Sequence, residues 1–376
     1  MNRTIKLSLI TFILAGGGNL ALADTIPSTA NTLVQSNTIN VSNSSNKNYN
    51  AAETDKIINQ TGGTLNIGNT TAKNYTDLKV TSTGGTTNIT NATISNSELD
   101  LDNQVIFDKA NNLNKVNLQG NKNSSGFNYL LKDTASVTFD GSVISDVKLE
   151  AWSESNTNGS LIIKNSLIHD SQLGLEKINS TSKLTQRPYV PKLILESVIV
   201  DKIDDNKTSS IFTMDLNTNN SSIIGTEIRI KNNAEIDSTF IDDSSIILQN
   251  TSSISIKNNS NINANINSVS VNNNAINTNV TLDNSEISGS ITASNLTATN
   301  GSIINSNSTI SGTTDIKNST IKAGITSKNL NITNSTASGT ADKKLDIKST
   351  GNHMQLNGVT FSDVALSSGN NRIDLN

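Results

Sequence analysis

The chain has 376 residues, a formal net charge of −4 and only 16% charged residues, with no basic block of the kind that nucleic-acid binding needs. It contains no cysteine, so no disulfide framework holds it together. Aromatic residues are 3% against 34% hydrophobic residues in all, so any core must be built from thin aliphatic layers.

Residues 1–23 read as a secretory signal peptide. Arg3 and Lys6 supply the positive start, LSLITFIL (7–14) the short apolar stretch, and Ala21-Leu22-Ala23 a small-x-small cleavage site. Gly16, Gly17, Gly18 and Asn19 interrupt the apolar run well short of the ~20 residues that a spanning helix needs. The mature chain is expected to begin at Asp24, which takes the net charge from −4 to −6 by removing Arg3 and Lys6. No later stretch approaches a membrane span, so none is expected in the mature chain. Residues 24–60 are expected to form an N-terminal cap region, and 61–376 the folded body.

In that body apolar and polar residues alternate, as in Leu161-Ile163, Leu193-Leu195, Ile228-Ile230, Ile254-Ile256, Leu330-Ile332 and Leu345-Ile347. This is the period of a strand with one buried face, and helical stripes are absent. The strands belong to a longer unit, met as ITNATISNSEL (89–99), FDGSVISDVKL (139–149), IKNSLIHDSQL (163–173) and ILESVIVDKI (194–203). It returns as IKNNAEIDSTF (230–240), IKNNSNINANI (256–266), LDNSEISGSIT (282–292), IKNSTIKAGIT (316–326), ITNSTASGTAD (332–342) and LNGVTFSDVAL (356–366).

The Asn or Asp of each copy marks a turn. Asn284, Asn300, Asn318 and Asn334 follow one another at 16, 18 and 16 residues, whereas Asp140 to Asn165 is 25 and Asn233 to Asn259 is 26. Constant strands with variable loops predict an all-β chain: a single parallel β-helix whose coils stack into inward aliphatic columns, roughly fourteen coils in length. Ile163, Leu195, Ile230, Ile256, Ile316, Ile332 and Ile347 are the expected inward residues. Asn suits the turns because it tolerates left-handed backbone, and stacked amides can bond from coil to coil. The competing fold is an antiparallel sandwich, which ordinarily carries more aromatic core and more Gly and Pro in its turns.

The pattern breaks at GLEKINSTSKLTQRPYVPK (174–192). Prolines do not fit a central ladder, so a loop insertion is expected at about 176–192, and exposed loops on rigid scaffolds are where binding residues sit. Arg187, Pro188, Tyr189 and Pro191 are therefore the candidate binding residues. Upstream, Phe127, Tyr129, Phe139 and Trp152 read as core thickening.

The signal peptide, the missing cysteine and the drifting KNSxI, DNSxI and TNSxA coils together resemble the passenger domains of bacterial autotransporters and related β-helix surface adhesins. The resemblance covers nearly the whole mature chain and rests on pattern, without a diagnostic motif. It implies a right-handed β-helix at the cell surface or in the medium, acting in adhesion or self-association. The implied partners are a host or neighbouring-cell surface, another copy of the chain, and an outer-membrane translocator. Autotransporters close on a membrane barrel; the residues leading to GNNRIDLN carry no such barrel, so the resemblance is to the passenger alone.

The alternative is a β-helix enzyme that degrades polysaccharide. Its chemistry would need paired carboxylates, a histidine in G-H-G context and an R-x-K for a uronate. The chain offers Arg229-Ile230-Lys231, Asp204-Asp205 and Asp242-Asp243, but His169 and His353 stand in IHDS and NHMQ. Calcium repeats, zinc spacings and phosphate loops are also missing from the sequence, so neither catalytic residues nor a cofactor nor a metal is expected.

Overall fold

The computed structural model describes residues 38–41, 46–49, 57–120, 129–132, 135–152, 159–174, 190–207, 209–271, 273–340, 344–368 and 372–375. Residues 1–23, expected as signal peptide, lie outside that set. The described residues contain strands and turns and no helix. The strands pair in parallel and stack as β-solenoid coils, about 14 turns in all. The chain divides into two compact units, Met1–Ser209 and Ser210–Asn376.

In the first unit, in-register pairing places Ile94, Leu113, Phe139, Ile163 and Leu195 in one inward column. A second column holds Leu99, Leu118, Ile144, Ile168 and Val200. All are buried. The ladder already includes Thr38–Val41 and Asn46–Tyr49, which pair with Ile57–Gln60 and Thr64–Ile67, so coil pairing begins inside the segment expected as a cap. Phe107 packs against Tyr129 and Phe139, each at a ring-centroid distance of 6.4 Å. Tyr129 donates its hydroxyl to the Leu101 carbonyl at 3.2 Å. Burial, with Asp102 and Asp100 adding, pushes the Tyr129 pKa up. Trp152 ends the strand Lys148–Trp152, in register with Lys132; Phe127 lies outside the described residues.

In the second unit one column runs through Ile236, Ile256, Leu282, Ala298, Ile316, Ile332 and Leu356. Another runs through Ile241, Ile262, Ile287, Ile304, Ile321 and Ala337. The steps from Asn279 to Asn295, Leu296 to Thr314 and Thr314 to Leu330 repeat the 16, 18 and 16 residues read from the turn markers. All seven inward residues expected from alternation are buried, none more than 2% exposed.

The turns have a two-residue grammar. Asn165, Asn284, Asn318 and Asn334 have φ between 47° and 51°, the left-handed region that Asn reaches more readily than most residues. Where the marker is Asp140 or Asn357, the following Gly141 or Gly358 takes that conformation instead. The next residue is often a buried serine. The Ser142 amide donates to Ser166 Oγ at 3.0 Å, and the Ser319 amide to Ser335 Oγ at 3.1 Å, each across one coil. Ser319 Oγ and Ser335 Oγ in turn donate to the carbonyls of Lys317 and Thr333, at 2.9 and 2.8 Å. The hydroxyls of Ser142, Ser166 and Ser335 thus satisfy a backbone N–H of one coil and a backbone carbonyl of their own. Outside, Asn side chains link coils, as in Asn284 Nδ2 to Asn259 Oδ1 at 3.0 Å and Asn295 Nδ2 to Asn279 Oδ1 at 2.9 Å.

One marker is misplaced. Asn233 lies inside the strand Thr226–Asp237, paired with Ser253, and the left-handed turn residue is Ser238, five positions on. Ile230-Lys231-Asn232 imitates a strand end, but the apolar alternation continues through Ala234 and Ile236, both buried, and burial of that face fixes the register.

Two outcomes follow from this packing. Ile256→Asp puts an unpartnered carboxylate where burial of the isoleucine stabilises by about 1.5–3 kcal/mol; chemical denaturation should show a loss at least that large. Ser335→Ala strands the Ser319 amide and should cost about 1–3 kcal/mol, whereas Ser253→Ala, on an outward strand position, should cost much less. Equal losses in the two serine variants would refute the bridging role.

Candidate functional site

Arg187, Pro188 and Tyr189 lie outside the described residues, as do 175–186. Pro191 is described: it is the second residue of the strand Val190–Glu196 and is buried, with Val190. The in-register ladder with the preceding coil begins at Lys192, opposite Ser160. Pro191 therefore sits just ahead of the paired residues, where its missing N–H removes no ladder bond to that coil. Residues 190–192, at the end of the segment expected as an insertion, belong to that strand.

Close to this segment in sequence, the first unit brings a group of charged residues together. His169 Nδ1 bonds the Asp201 carboxylate one coil on, and Lys207 Nζ pairs with Asp146. Asp170 Oδ1 accepts the amides of Ile203 and Asp204, at 2.8 and 3.1 Å, and so pins the start of the 202–207 turn. Asp146 and Asp170 occupy the same turn in successive copies and both are left-handed, at φ of 57° and 49°. Burial disfavours the His169 imidazolium, but the hydrogen bond and charge of Asp201, with Asp170 and Asp146, outweigh it and raise the pKa. The bond to Asp146 likewise raises that of Lys207. Ser171 gives its hydroxyl to the His169 carbonyl at 2.7 Å rather than to the imidazole. The arrangement can clamp a turn and hold a proton; among the described residues no group of three His, Cys, Asp or Glu is placed to hold a metal ion.

The other residues singled out by the sequence are dispersed. Arg229 pairs with Glu227 and lies 5.0 Å from the Phe212 ring centroid, with Ile230 buried between it and exposed Lys231. Asp242 is buried and accepts Asn263 Nδ2 at 2.6 Å, whereas Asp243 is exposed at a bulge. Asp204 Oδ1 accepts the Asn206 amide at 2.9 Å. His353 is exposed in Leu345–Asn357, in register with Asn329. The His169–Asp201 and Lys207–Asp146 contacts were not read from the sequence. The signal for half of them was present, since the copies 139–149 and 163–173 superimpose Asp146 on Asp170 and Ser145 on His169.

No helix among the described residues is long and apolar enough to cross a membrane, a statement that does not bear on β-barrels. Neither a family model, nor a curated protein, nor a solved structure matches the chain.

Because the folded His169 pKa is raised, its contribution to stability is fully present below the unfolded value and fades as pH rises through the folded one. His169→Gln should therefore lower the melting temperature most near about pH 5.5 and least near about pH 8.5. A difference independent of pH would show that the imidazole is not charged in the folded protein.

Proposed function

We propose that this is an exported structural or adhesive β-solenoid of the autotransporter-passenger kind, acting at the cell surface or in the medium in adhesion or self-association. The observation that carries the reading is the outward side of the second unit's coils. There Asn279, Thr281, Asn295, Thr297, Asn329 and Asn331 alternate with the buried column along paired strands. Neighbouring coils repeat such groups at roughly 4.8 Å, giving ordered rows of amides and hydroxyls. Rows of this kind offer many weak hydrogen bonds rather than one tight site, and repetition turns weak contacts into avidity. The signal-like N-terminus and the cysteine-free composition support export.

The test is to fuse residues 24–376 to an unrelated surface anchor on a non-adherent cell and to count attachment and clumping. Either effect is the expected result. Deleting 176–189, while keeping the strand from Val190, separates the two possible seats: loss places the activity in the insertion, persistence on the coils. Cells that neither attach nor clump, with purified protein that depolymerises a polysaccharide, would replace this reading with the enzymatic one.

A further inference from the structure

Charge is spread unevenly along the chain. Residues 316–352 hold six lysines against two aspartates, whereas the remainder holds 22 basic and 30 acidic residues. Coil stacking assembles most of those lysines on one face of the second unit. That face is built from the segments 291–293, 308–310, 325–327, 345–349 and 364–368, each paired in parallel with the next. Ile291, Ile325 and Ile347 occupy the same buried column, so the next position along each strand points outward. There Thr292, Thr309, Thr326, Lys348 and Ser367 form one row, at roughly 4.8 Å per coil. Lys322 and Lys344 stand at the entry of the face, three residues ahead of Ile325 and Ile347, which pair. Lys328 follows Ser327 at its exit. A Cβ on Gly351 would meet the Lys328 carbonyl oxygen at 2.3 Å and its Cγ at 2.8 Å, so glycine on the following coil makes room for the Lys328 stem. All four lysines are exposed.

Several lysines elsewhere are neutralised by a neighbouring coil: Lys79 by Glu98, Lys164 by Glu196 and Lys257 by Glu235. Among the described residues, none of the four on this face is in an ion pair. Lys348 has Thr326 and Ser367 as its neighbours on the adjoining coils, in place of a carboxylate. Two acidic residues belong to the face. Asp346 points outward between Lys344 and Lys348, and Asp363 precedes Val364 on the following coil, its Oδ2 accepting the Ser362 hydroxyl at 3.2 Å. Four ammonium groups thus stand against two carboxylates, in a chain that is negative as a whole. The five segments contain neither an aromatic residue nor an arginine.

We propose that this face docks an acidic polysaccharide, a hydroxyl-bearing chain with carboxylate or sulfate groups. An ammonium is a point charge on a flexible stem, and it pairs with either anion without the planar geometry that arginine imposes. The threonine and serine hydroxyls of the row both donate and accept, as sugar hydroxyls do. Because the whole chain is negative, a polyanion is held only where the charge is locally reversed. A single-stranded nucleic acid would find no aromatic side chain to stack on. A lipid surface would receive no large apolar side chain from the outward row. The proposal names a partner class for the adhesive reading and rests on that reading only for its biological setting.

The experiment titrates the purified full chain against polygalacturonate and heparin, with dextran as the neutral polysaccharide and a DNA duplex and phosphatidylglycerol vesicles as the other polyanions. At least one of polygalacturonate and heparin should bind, dextran should not, and affinity should fall as salt rises from about 50 to about 200 mM. Which of the two binds tells carboxylate from sulfate recognition. Lys322→Glu, Lys344→Glu and Lys348→Glu combined should weaken binding by about tenfold or more. The same three lysines changed to glutamine should weaken it less, and both variants should keep the melting temperature, since all three positions are exposed. Lys109→Glu, Lys115→Glu and Lys192→Glu combined make an equal charge change at exposed positions of the first unit and should leave affinity within about twofold. If the glutamate variant fails to fold, the glutamine variant carries the same comparison. Failure of both acidic polysaccharides to bind, equal losses in the two sets of lysine variants, or tighter binding of the duplex or the vesicles overturns the proposal. Attachment of displayed cells alongside such a failure overturns this proposal alone. Lysine-dependent polysaccharide binding without attachment supports it and removes the adhesive setting.

Discussion

A backbone amide buried at a turn must find an acceptor, and in this protein the acceptor comes from a serine one coil away. Ser166, Ser335 and Ser260 receive the amides of Ser142, Ser319 and Thr239, and Ser171 receives that of Val147. A hydroxyl suits this place because it accepts from one coil while donating within its own. The left-handed Asn, Asp or Gly before it turns the chain so that the serine points inward rather than out. With the turns satisfied in this way, each coil is held to the next at its corners as well as along its strands. The aliphatic columns can then be thin, because they do not have to fix the register alone.

Where the coils depart from this plan, another polar group takes over the task. At Asn91 the following residue is Ala92, which has no hydroxyl, and Asn111 Oδ1 on the adjacent coil accepts the Ala92 amide at 3.1 Å. Gln60 gathers Ser82, Thr87 and Asn103 on its Oε1, at 3.1, 2.7 and 3.1 Å. All four side chains are buried, in a chain with few aromatic residues to fill a corner. A shared network of this sort substitutes polar complementarity for apolar volume, although Asn103 bonds through Nδ2 alone and its buried Oδ1 has no partner.

Much of the fold was legible because two independent signals agree. Period-two alternation gave the inward residues, and the Asn markers gave the coil lengths, correct to the residue from Asn284 to Asn334. Asn233 shows where the second signal fails alone, since an Asn after an apolar-polar pair also occurs within a strand. The serine after the marker is visible in the KNS and DNS copies but its role is not; its inward direction depends on the sign of φ one residue earlier, which composition does not reveal. The His169, Asp201, Asp146 and Lys207 contacts were hidden for another reason. They join residues up to 61 positions apart across a coil sequence whose repeat pattern breaks between Leu173 and Lys192. The second unit's lysine face was equally hidden, since its charges come from two coils and stand four to six residues apart along each.

The corner bonds also set how the chain can change over generations. Because register is restored at so many turns by a two-residue grammar, the number of residues between turns is free: successive coils here differ by as much as the step from Asn279 to Asn295 and that from Ser160 to Lys192. Codon insertions and deletions that would ruin a globular core are absorbed between corners, and whole coils can be duplicated or lost without disturbing their neighbours' packing. A lineage carrying such a chain can lengthen, shorten and re-decorate its outward side while preserving the fold, and two descendants could share every column yet retain little alignable sequence.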